Sequence, residues 1–369
     1  MTLILLSAGS SSRFNMNVKK QWLRVNHKPL WSFVADKLQK SGNFVKIIIV
    51  ASNDDISFMK NYADYTFVQG GNTRQASLKN ALNAVQSEYV LVSDVARACI
   101  NKDLLERILS KKGSADCIVP FLKVTDTIIY EESTIDRDKV KRVQTPQLSK
   151  TQALIEALNV ESEFTDESSA IVANGGSREF VLGDEDAHKI TFAQDLNKLP
   201  CLEAPSSDTL SGNGFDVHEF DDKGEMWLGG VKIDSAFGFK AHSDGDVALH
   251  SLIDALLGAA GLGDIGMMFP DNDDAYKGMD SKELLKRVVS KIYNFGFVII
   301  NVDITIAAQT PRIGKYKLAM RTVIAEILNI DRARVNVKAT TTEKLGFVGR
   351  EEGVAVMANA NLKYFNWKM

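Results

Sequence analysis

Three cysteines in 369 residues are too few, and odd in number, for a fold built on disulfides. Cys99, Cys117 and Cys201 lie far apart, so the expectation is three thiols in a reducing compartment. No stretch approaches the ~20 apolar residues that a membrane-spanning helix needs. The opening run Met-Thr-Leu-Ile-Leu-Leu-Ser-Ala-Gly has no basic segment before it, so a signal peptide is not expected either. Charge of one sign is lacking too. Lys and Arg number 44 against 47 Asp and Glu, and a formal net charge of −3 offers no field for nucleic acid or a membrane surface. The GK[ST] ending of a Walker A loop is absent, as are internal repeats and low-complexity tracts. These absences leave a cytoplasmic globular protein as the class to test.

What is present fits that class. Hydrophobic residues make up 45% and charged residues 25% of the chain, and its length calls for two domains. Two of the seven prolines fall in residues 197–212, with a polar Ser/Asp/Thr cluster and no period of 3.6 or 2. We therefore divide the chain into a domain over 1–200, a linker over 201–211 and a second domain over 212–369. In the first, apolar runs at Leu3–Ser7, Lys46–Ala51, Tyr89–Ser93 and Cys117–Phe121 alternate with helical patterns at Leu30–Gln39, Arg74–Val85 and Lys102–Leu109. That alternation predicts an α/β, Rossmann-like domain with a mainly parallel sheet. The second reads as α+β, with helices near 246–260, 281–295 and 315–328 and strands near 298–307, 335–340 and 353–360.

Three of the five histidines fall within residues 213–250, in the phrases Asn-Gly-Phe-Asp-Val-His (213–218) and Ala-His-Ser-Asp-Gly-Asp-Val-Ala-Leu-His (241–250). On an extended strand Asp216 and His218 point to the same face. His250 lies in a helical pattern opened by the acidic turn Ser243–Asp246. One carboxylate and two imidazoles are three protein ligands for zinc, with a fourth tetrahedral position open as in catalytic sites. On spacing alone, chance and a packed helix histidine explain these residues as well.

The opening strand runs into Ser7-Ala-Gly-Ser-Ser-Ser-Arg13, followed by Lys19-Lys20-Gln21. A loop of small residues lets backbone N–H groups approach phosphate oxygens, and the cations balance their charge. Read alone, the same loop is equally a serine-rich turn beside solvated lysines.

From Gly212 onward the chain resembles the 2-C-methyl-D-erythritol 2,4-cyclodiphosphate synthase family. The resemblance rests on Gly-Phe-Asp-Val-His at 214–218, the phrase at 241–250, Leu-Gly-Asp-Ile-Gly at 262–266, Phe-Pro-Asp at 269–271 and Asn-Val-Lys-Ala-Thr-Thr-Thr-Glu-Lys-Leu-Gly-Phe at 336–347. It implies zinc, or a similar divalent ion, on Asp216, His218 and His250, and Mg2+ or Mn2+ on Glu343. His242 and Thr341 match positions that stabilise the transferring phosphate. Asp264 and Gly266 match a pocket for the methylerythritol diol, with Asp271 in the same loop region. The loop Ala308–Lys315, with Pro311 and Arg312, matches one that reads cytosine. Thr340, Thr342, Phe347 and Arg350 complete the implied substrate contacts.

Residues 1–200 resemble the 2-C-methyl-D-erythritol 4-phosphate cytidylyltransferase family. The motifs are Ser-Ala-Gly…Arg…Lys-Lys-Gln at 7–21, Gly-Gly-Asn-Thr-Arg-Gln-Ala-Ser at 70–77, Val-Leu-Val-Ser-Asp-Val-Ala-Arg at 90–97, Thr-Asp-Thr at 125–127 and Ile-Asp-Arg at 135–137. Gln-Thr-Pro-Gln at 144–147, Thr-Asp-Glu-Ser-Ser-Ala at 165–170 and His-Lys-Ile-Thr at 188–191 complete them. By this resemblance Arg13, Lys20 and Lys189 surround a triphosphate, and Arg137 and Thr165 hold the methylerythritol phosphate. Ala8, Gly9, Gly71 and Ser77 lie at the nucleotide, and Asp94 orients ribose or a magnesium ion. The chain departs from the family pattern at Gly9-Ser10-Ser11, where Gly-x-Gly is usual, and at Lys19, where proline is usual. It departs again at Asp94-Val-Ala-Arg97-Ala98, where Asp-Ala-Ala-Arg-Pro is usual.

Together the resemblances imply a bifunctional enzyme of non-mevalonate isoprenoid biosynthesis. One activity transfers cytidylyl from CTP to 2-C-methyl-D-erythritol 4-phosphate. The other cyclises the 2-phosphorylated cytidine diphosphate derivative with release of CMP, a phosphorus–oxygen lyase step. The substrates are then CTP, methylerythritol phosphate and its cytidine diphosphate derivatives. The intermediate kinase step has no counterpart here, and docking of that kinase stays open. Trimeric synthase contacts and a dimerising transferase combine, by closed symmetry, into an expected homo-oligomer as large as a hexamer. Two rivals stand beside this reading: a first half that only tethers nucleotide, and one that acts on another sugar phosphate.

Overall fold

Leu3-Ile-Leu-Leu is apolar on both faces, and a strand of that composition belongs at the centre of a covered sheet. The structure, a computed structural model, describes residues 1–160, 162–222, 224–241, 244–270, 272 and 278–368. In it Thr2–Leu6 is a fully buried strand. The eight-stranded sheet runs in the spatial order Lys141–Val143, Cys117–Lys123, Gln147–Lys150, Tyr89–Asp94, Thr2–Leu6, Lys46–Ala51 and Thr66–Gln69, with Arg178–Leu182 beside Cys117–Lys123. Its centre is parallel, and the antiparallel insert Gln147–Lys150 makes it mixed. Leu6 stands opposite both Val50 and Asp94. Chain order reverses around the first strand, which is where α/β sheets open a crevice at their carboxyl ends. The helix Arg74–Leu82 starts there, where Thr73 accepts from Ala76 N at 3.1 Å. Its Leu78, Ala81 and Leu82 pack on Ile4, Ile48, Val50, Val90 and Val92, each fully buried aliphatic side chain contributing ~1.5–3 kcal/mol.

The expectation of three free thiols is overturned. Cys99 and Cys201 form a disulfide across 102 residues of sequence, with Cα atoms 5.6 Å apart. The reason is tertiary: the segment beyond Lys189 returns over the loop after Asp94, and Ile190 N donates to Ala96 O at 2.9 Å. Cys117 is free and buried. Among the described residues no helix is long and apolar enough to cross a membrane.

The chain forms two units, one of residues 1–205 with the tail from Asn366, the other Ser206–Phe365. Residues 201–205, read as linker, pack with the first unit: Leu202 is buried, and Asn26 N donates to Ala204 O at 3.2 Å. The tail joins it through Trp367, whose Nε1 donates to Arg24 O at 2.6 Å.

In the second unit a five-stranded sheet runs Gly238–Phe239, Leu210–Asp221, Gly353–Tyr364, Phe297–Ala307, Val335–Thr340. The helices Val247–Ala260, Ser281–Asn294 and Lys317–Leu328 accompany it. In Leu210–Asp221, residues 211, 213, 215, 217 and 219 are exposed, so Gly212, Gly214, Asp216 and His218 share the covered face. The two glycines let Val247–Ala260 lie directly on the strand: a Cβ on Gly214 would come within 2.0 Å of Ser251 O, and one on Gly212 within 2.3 Å of Ala255 O.

Candidate active sites

The first unit's crevice is a cavity of about 420 Å3 lined by the loop Ser7–Ser11, Arg13, Lys20, Gly71, Ser77, Asp94 and Lys189. Ala8 and Gly9 belong to that loop. A Cβ on Gly70 would meet Ala8 Cβ at 2.5 Å, so the Gly70-Gly71 turn rests on the loop. The Ser77 hydroxyl pins the turn by accepting from Gly71 N at 3.0 Å. A second cavity of about 290 Å3, lined by Thr165, Asp166, Lys141 and Gln147, shares Arg74, Asp94 and Lys189 with the first. Asp94 is the hinge of this pair. Lys189 Nζ donates to its Oδ2 at 2.6 Å and Arg74 Nε to its Oδ1 at 3.3 Å. Burial works against the Asp94 charge, but Arg74 and then Lys189 outweigh it and bring its carboxyl down to about 2. Lys20 is pushed down from the ordinary lysine value, first by burial, then by Lys189 and Arg13.

Arg137 is not brought to these cavities. It is exposed on a turn after the hairpin Ile128–Tyr130/Ser133–Ile135 and donates to Thr125 O at 2.7 Å.

In the second unit Asp216, His218 and His250 offer ligand atoms that all lie within 4.8 Å of one another. His218 Nε2 is 3.3 Å and His250 Nδ1 3.5 Å from Asp216 Oδ2. The far nitrogens are occupied. His218 Nδ1 lies 2.9 Å from Gly245 O, which accepts its proton and leaves Nε2 for a metal. His250 Nε2 lies 2.9 Å from Ser281 Oγ, which in turn is 2.5 Å from Asp244 Oδ1. Burial disfavours the Asp216 charge, but hydrogen bonds from His218 and His250 hold its carboxyl well below the usual range. For His218 burial likewise opposes the charge, and Asp216 nevertheless raises its pKa.

The helix Val247–Ala260 owes its start to Asp246, a buried cap that accepts from Ala248 N and Leu249 N and also from Gly229 N and Gly230 N. Asp264 is exposed and caps the turn Ile265–Met268, which contains Gly266, by accepting from Met267 N at 2.8 Å. Asp254, one turn beyond His250, accepts from Ile265 N at 2.8 Å and so ties that loop to the histidine's helix.

Thr340, Thr342 and Glu343 fall at the far side of the same sheet. Thr340 O accepts from Ala308 N at 3.0 Å, which sets the loop carrying Pro311 and Arg312 beside them. Thr341 Oγ1 lies 3.0 Å from Glu343 Oε1. Phe347 and Arg350 follow, Arg350 held by Glu352 at 2.7 Å. Three strand spacings separate Val335–Thr340 from Leu210–Asp221, about 14 Å at 4.7–4.9 Å each. Glu343 does not join the Asp216 cluster within one chain. His242 and Asp271 lie outside the described residues.

Sequence reasoning passed over Arg74, Glu167, Arg97 and Asp254, of which Glu167 is wholly buried and the others are partly so. Arg74 sits in the motif 70–77 and bridges Asp94 to Glu167, 2.7 Å away. Arg74 Nη2 and Arg97 Nε are buried without a hydrogen-bond partner among the described residues. The i, i+4 spacing of His250 and Asp254 was the available signal for Asp254.

Residues 1–200 match the family model of 2-C-methyl-D-erythritol 4-phosphate cytidylyltransferase. Residues 210–363 match that of the YgbB family. The bifunctional enzyme IspD/IspF of Sulfurimonas denitrificans is 71% identical over 100% of this chain and 95% of its own length. That of Aliarcobacter butzleri is 54% identical over 100% and 99%. The solved structure of the bifunctional IspDF from Campylobacter jejuni superposes with a TM-score of 0.92 at 50% identity, covering all of both chains.

Proposed function

The chain belongs to the bifunctional IspD/IspF family, and from that premise we propose the residues that carry its two reactions. It is an enzyme of the methylerythritol phosphate pathway, both a cytidylyltransferase and a cyclodiphosphate synthase. We assign the first activity to residues 1–200 and the second to 212–369.

In cytidylyl transfer a phosphate oxygen of methylerythritol 4-phosphate attacks the α-phosphorus of CTP and pyrophosphate leaves. The protein's task is to align the reactants and stabilise added negative charge. Arg13, Lys20 and Lys189 do this around the triphosphate, above the backbone of Ala8 and Gly9. Gly71 and Ser77 receive the base. Arg74, with a buried donor to spare, supports Thr165 at the sugar phosphate. Arg137, remote in this chain, reaches the sugar phosphate as part of an assembled oligomer. Asp94 orients ribose or magnesium; a carboxylate accepts about four hydrogen bonds or ligand contacts, and Arg74 and Lys189 leave room.

In cyclisation the 2-phosphate attacks its own β-phosphorus and CMP leaves. One carboxylate with two oriented imidazoles is a donor set that suits zinc and leaves a fourth position open. Bound there, a divalent ion supplies charge to polarise a phosphate oxygen. Glu343 alone suits Mg2+ or Mn2+, which take one or two carboxylates plus substrate oxygens. Thr341, with His242, stabilises the transferring phosphate, and Asp264 and Gly266, with Asp271, hold the diol. Pro311 and Arg312 read cytosine, while Thr340, Thr342, Phe347 and Arg350 bind the leaving nucleotide. The gap between Glu343 and the Asp216 cluster supports a trimer in which one subunit's threonine segment completes its neighbour's site, and a hexamer once the transferase pairs. Cytoplasmic placement follows the nucleotide substrate; the Cys99–Cys201 bond removes the cysteine count as support.

The observation that carries the reading is the convergence of Asp216, His218 and His250 in the chain whose other unit gathers Lys20, Lys189 and Arg13 on one cavity. Phosphorus NMR tests it in two tubes with magnesium and zinc. One holds CTP with methylerythritol 4-phosphate, the other the 2-phosphorylated cytidine diphosphate methylerythritol. Pyrophosphate in the first and CMP with a cyclic diphosphate in the second are expected. CMP alone moves the nucleotide-tether reading to the front.

A further inference from the structure

Two of the chain's departures from the cytidylyltransferase pattern, Ser11 and Lys19, converge on Lys20. Asp55, wholly buried on the helix Asn53–Met59, accepts from Lys19 Nζ at 3.2 and 3.3 Å, from Gln21 Nε2 at 3.2 Å and from Trp22 Nε1 at 3.0 Å. The side chains on either side of Lys20 therefore end on one carboxylate, and Lys20 is left to face the cavity. Lys19 itself stands at φ −71°, ψ 137°, in the polyproline region and at the φ that a proline ring would fix. From the other side Lys20 N donates to Ser11 Oγ at 3.0 Å. Ser11 holds φ 60°, ψ 23°, a left-handed conformation that glycine adopts freely and serine seldom does. Gln21 Nε2 closes the same loop on Gly9 O at 3.4 Å.

We propose that Ser11, Lys19 and Asp55 form a clamp that positions Lys20 for cytidylyl transfer. The serine hydroxyl and the buried ion pair hold by side-chain contact the backbone that glycine and proline otherwise hold by freedom and by ring. The clamp rests on the reading of Lys20 as a triphosphate ligand. A lysine has four rotatable side-chain bonds, so where its ammonium arrives depends on how firmly its backbone is fixed, and a misplacement near 1 Å lowers rate by about a hundredfold.

The full chain carries the test, as Lys20→Ala, Ser11→Ala, Lys19→Ala and Lys19→Pro, with transfer and cyclisation read on each preparation. A parental far-UV circular dichroism spectrum and melting profile show that the first unit has folded, and cyclisation at the parental rate that the second has. Lys20→Ala should abolish transfer. Ser11→Ala and Lys19→Ala should each lower the transfer kcat by about tenfold to a hundredfold with the KM for methylerythritol phosphate unmoved. Lys19→Pro should restore a rate near the parent, because the ring fixes the same φ. A mere requirement for positive charge at position 19 predicts the reverse. Parental kcat in both alanine variants, or Lys19→Pro as slow as Lys19→Ala, overturns the clamp while leaving Lys20's role intact. Transfer by Lys20→Ala at the parental rate overturns that role, and the clamp with it.

Discussion

Lys189 Nζ lies 2.6 Å from Asp94 Oδ2, where the first unit's two cavities meet. The cation that would serve the triphosphate is therefore held by a carboxylate that also anchors Arg74. Asp94→Asn removes the counter-charge of Lys189 and one of the two that hold Arg74, and is expected to lower cytidylyl transfer by about a hundredfold while cyclisation continues. The pH dependence of stability has a defined sign. The folded Asp94 carboxyl at about 2 lies below its unfolded value of about 3.9. Its contribution is thus complete above about pH 4 and lost as pH falls through 2. Glu167 acts oppositely: burial raises its carboxyl despite Arg74, so it favours the folded state as pH falls. Acid unfolding of parent and Asp94→Asn should converge between about pH 4 and 2; a constant gap would count against the Asp94 pairing.

Cys117 should be silent to thiol reagents in the native protein. Burial pushes its thiol up to about 12, so about one molecule in ten thousand is thiolate at pH 8. Without reductant, a maleimide titration is expected to find no reactive thiol in the native chain and one after unfolding. Reduction before unfolding should raise the count to three. Three reactive thiols on unfolding without reductant would remove the Cys99–Cys201 bond.

Local pattern made part of this legible. Asp216 and His218 share a face because strand periodicity is two, and His250 falls on a helix whose capped turn is written in the sequence. Lys20, Arg13 and Lys189 reach one cavity because α/β sheets gather their loops at carboxyl ends. What escaped is long-range or polar. Gln147–Lys150 is a buried strand that looks polar, with Gln147 and Ser149 inside the sheet, and no apolar run announces it. Asp94, Arg74 and Glu167 come from three elements, and only the folded sheet joins them. Cys99 and Cys201 are neighbours for the same reason. The strand Leu210–Asp221 begins inside the segment read as linker, since two glycines and a serine interrupt its pattern where the helix presses on it.

Ser281 should govern how firmly His250 holds a metal. Its hydroxyl stands between His250 Nε2 and Asp244, fixing the ring so that Nδ1 faces Asp216. His250→Ala is expected to abolish bound zinc and cyclisation and to spare cytidylyl transfer. Ser281→Ala should weaken zinc binding by about ten- to a hundredfold in a chelator competition, and Ser281→Thr should keep most of it. Equal zinc affinity in parent and Ser281→Ala would leave the serine without a part in the site.

Gly214 tests whether the cluster depends on how closely helix and strand approach. A Cβ there would lie 2.0 Å from Ser251 O and 2.8 Å from Ala255 N, so Gly214→Ala must push Val247–Ala260 off Leu210–Asp221. The bond from Ser251 Oγ to Gly214 O, 3.0 Å long, would go with it. His250 precedes that serine and Asp216 follows that glycine by two residues, so the displacement opens the very gap a metal would bridge. Overpacking of this kind destabilises by ~1–3 kcal/mol, too little on its own to unfold most domains. The expected outcome is a folded chain that transfers cytidylyl normally, binds less than one zinc under conditions that saturate the parent, and cyclises poorly. A Gly214→Ala chain with full zinc and parental cyclisation would show that the Asp216–His250 geometry tolerates a wider helix–strand spacing than the close contact at Gly214 implies.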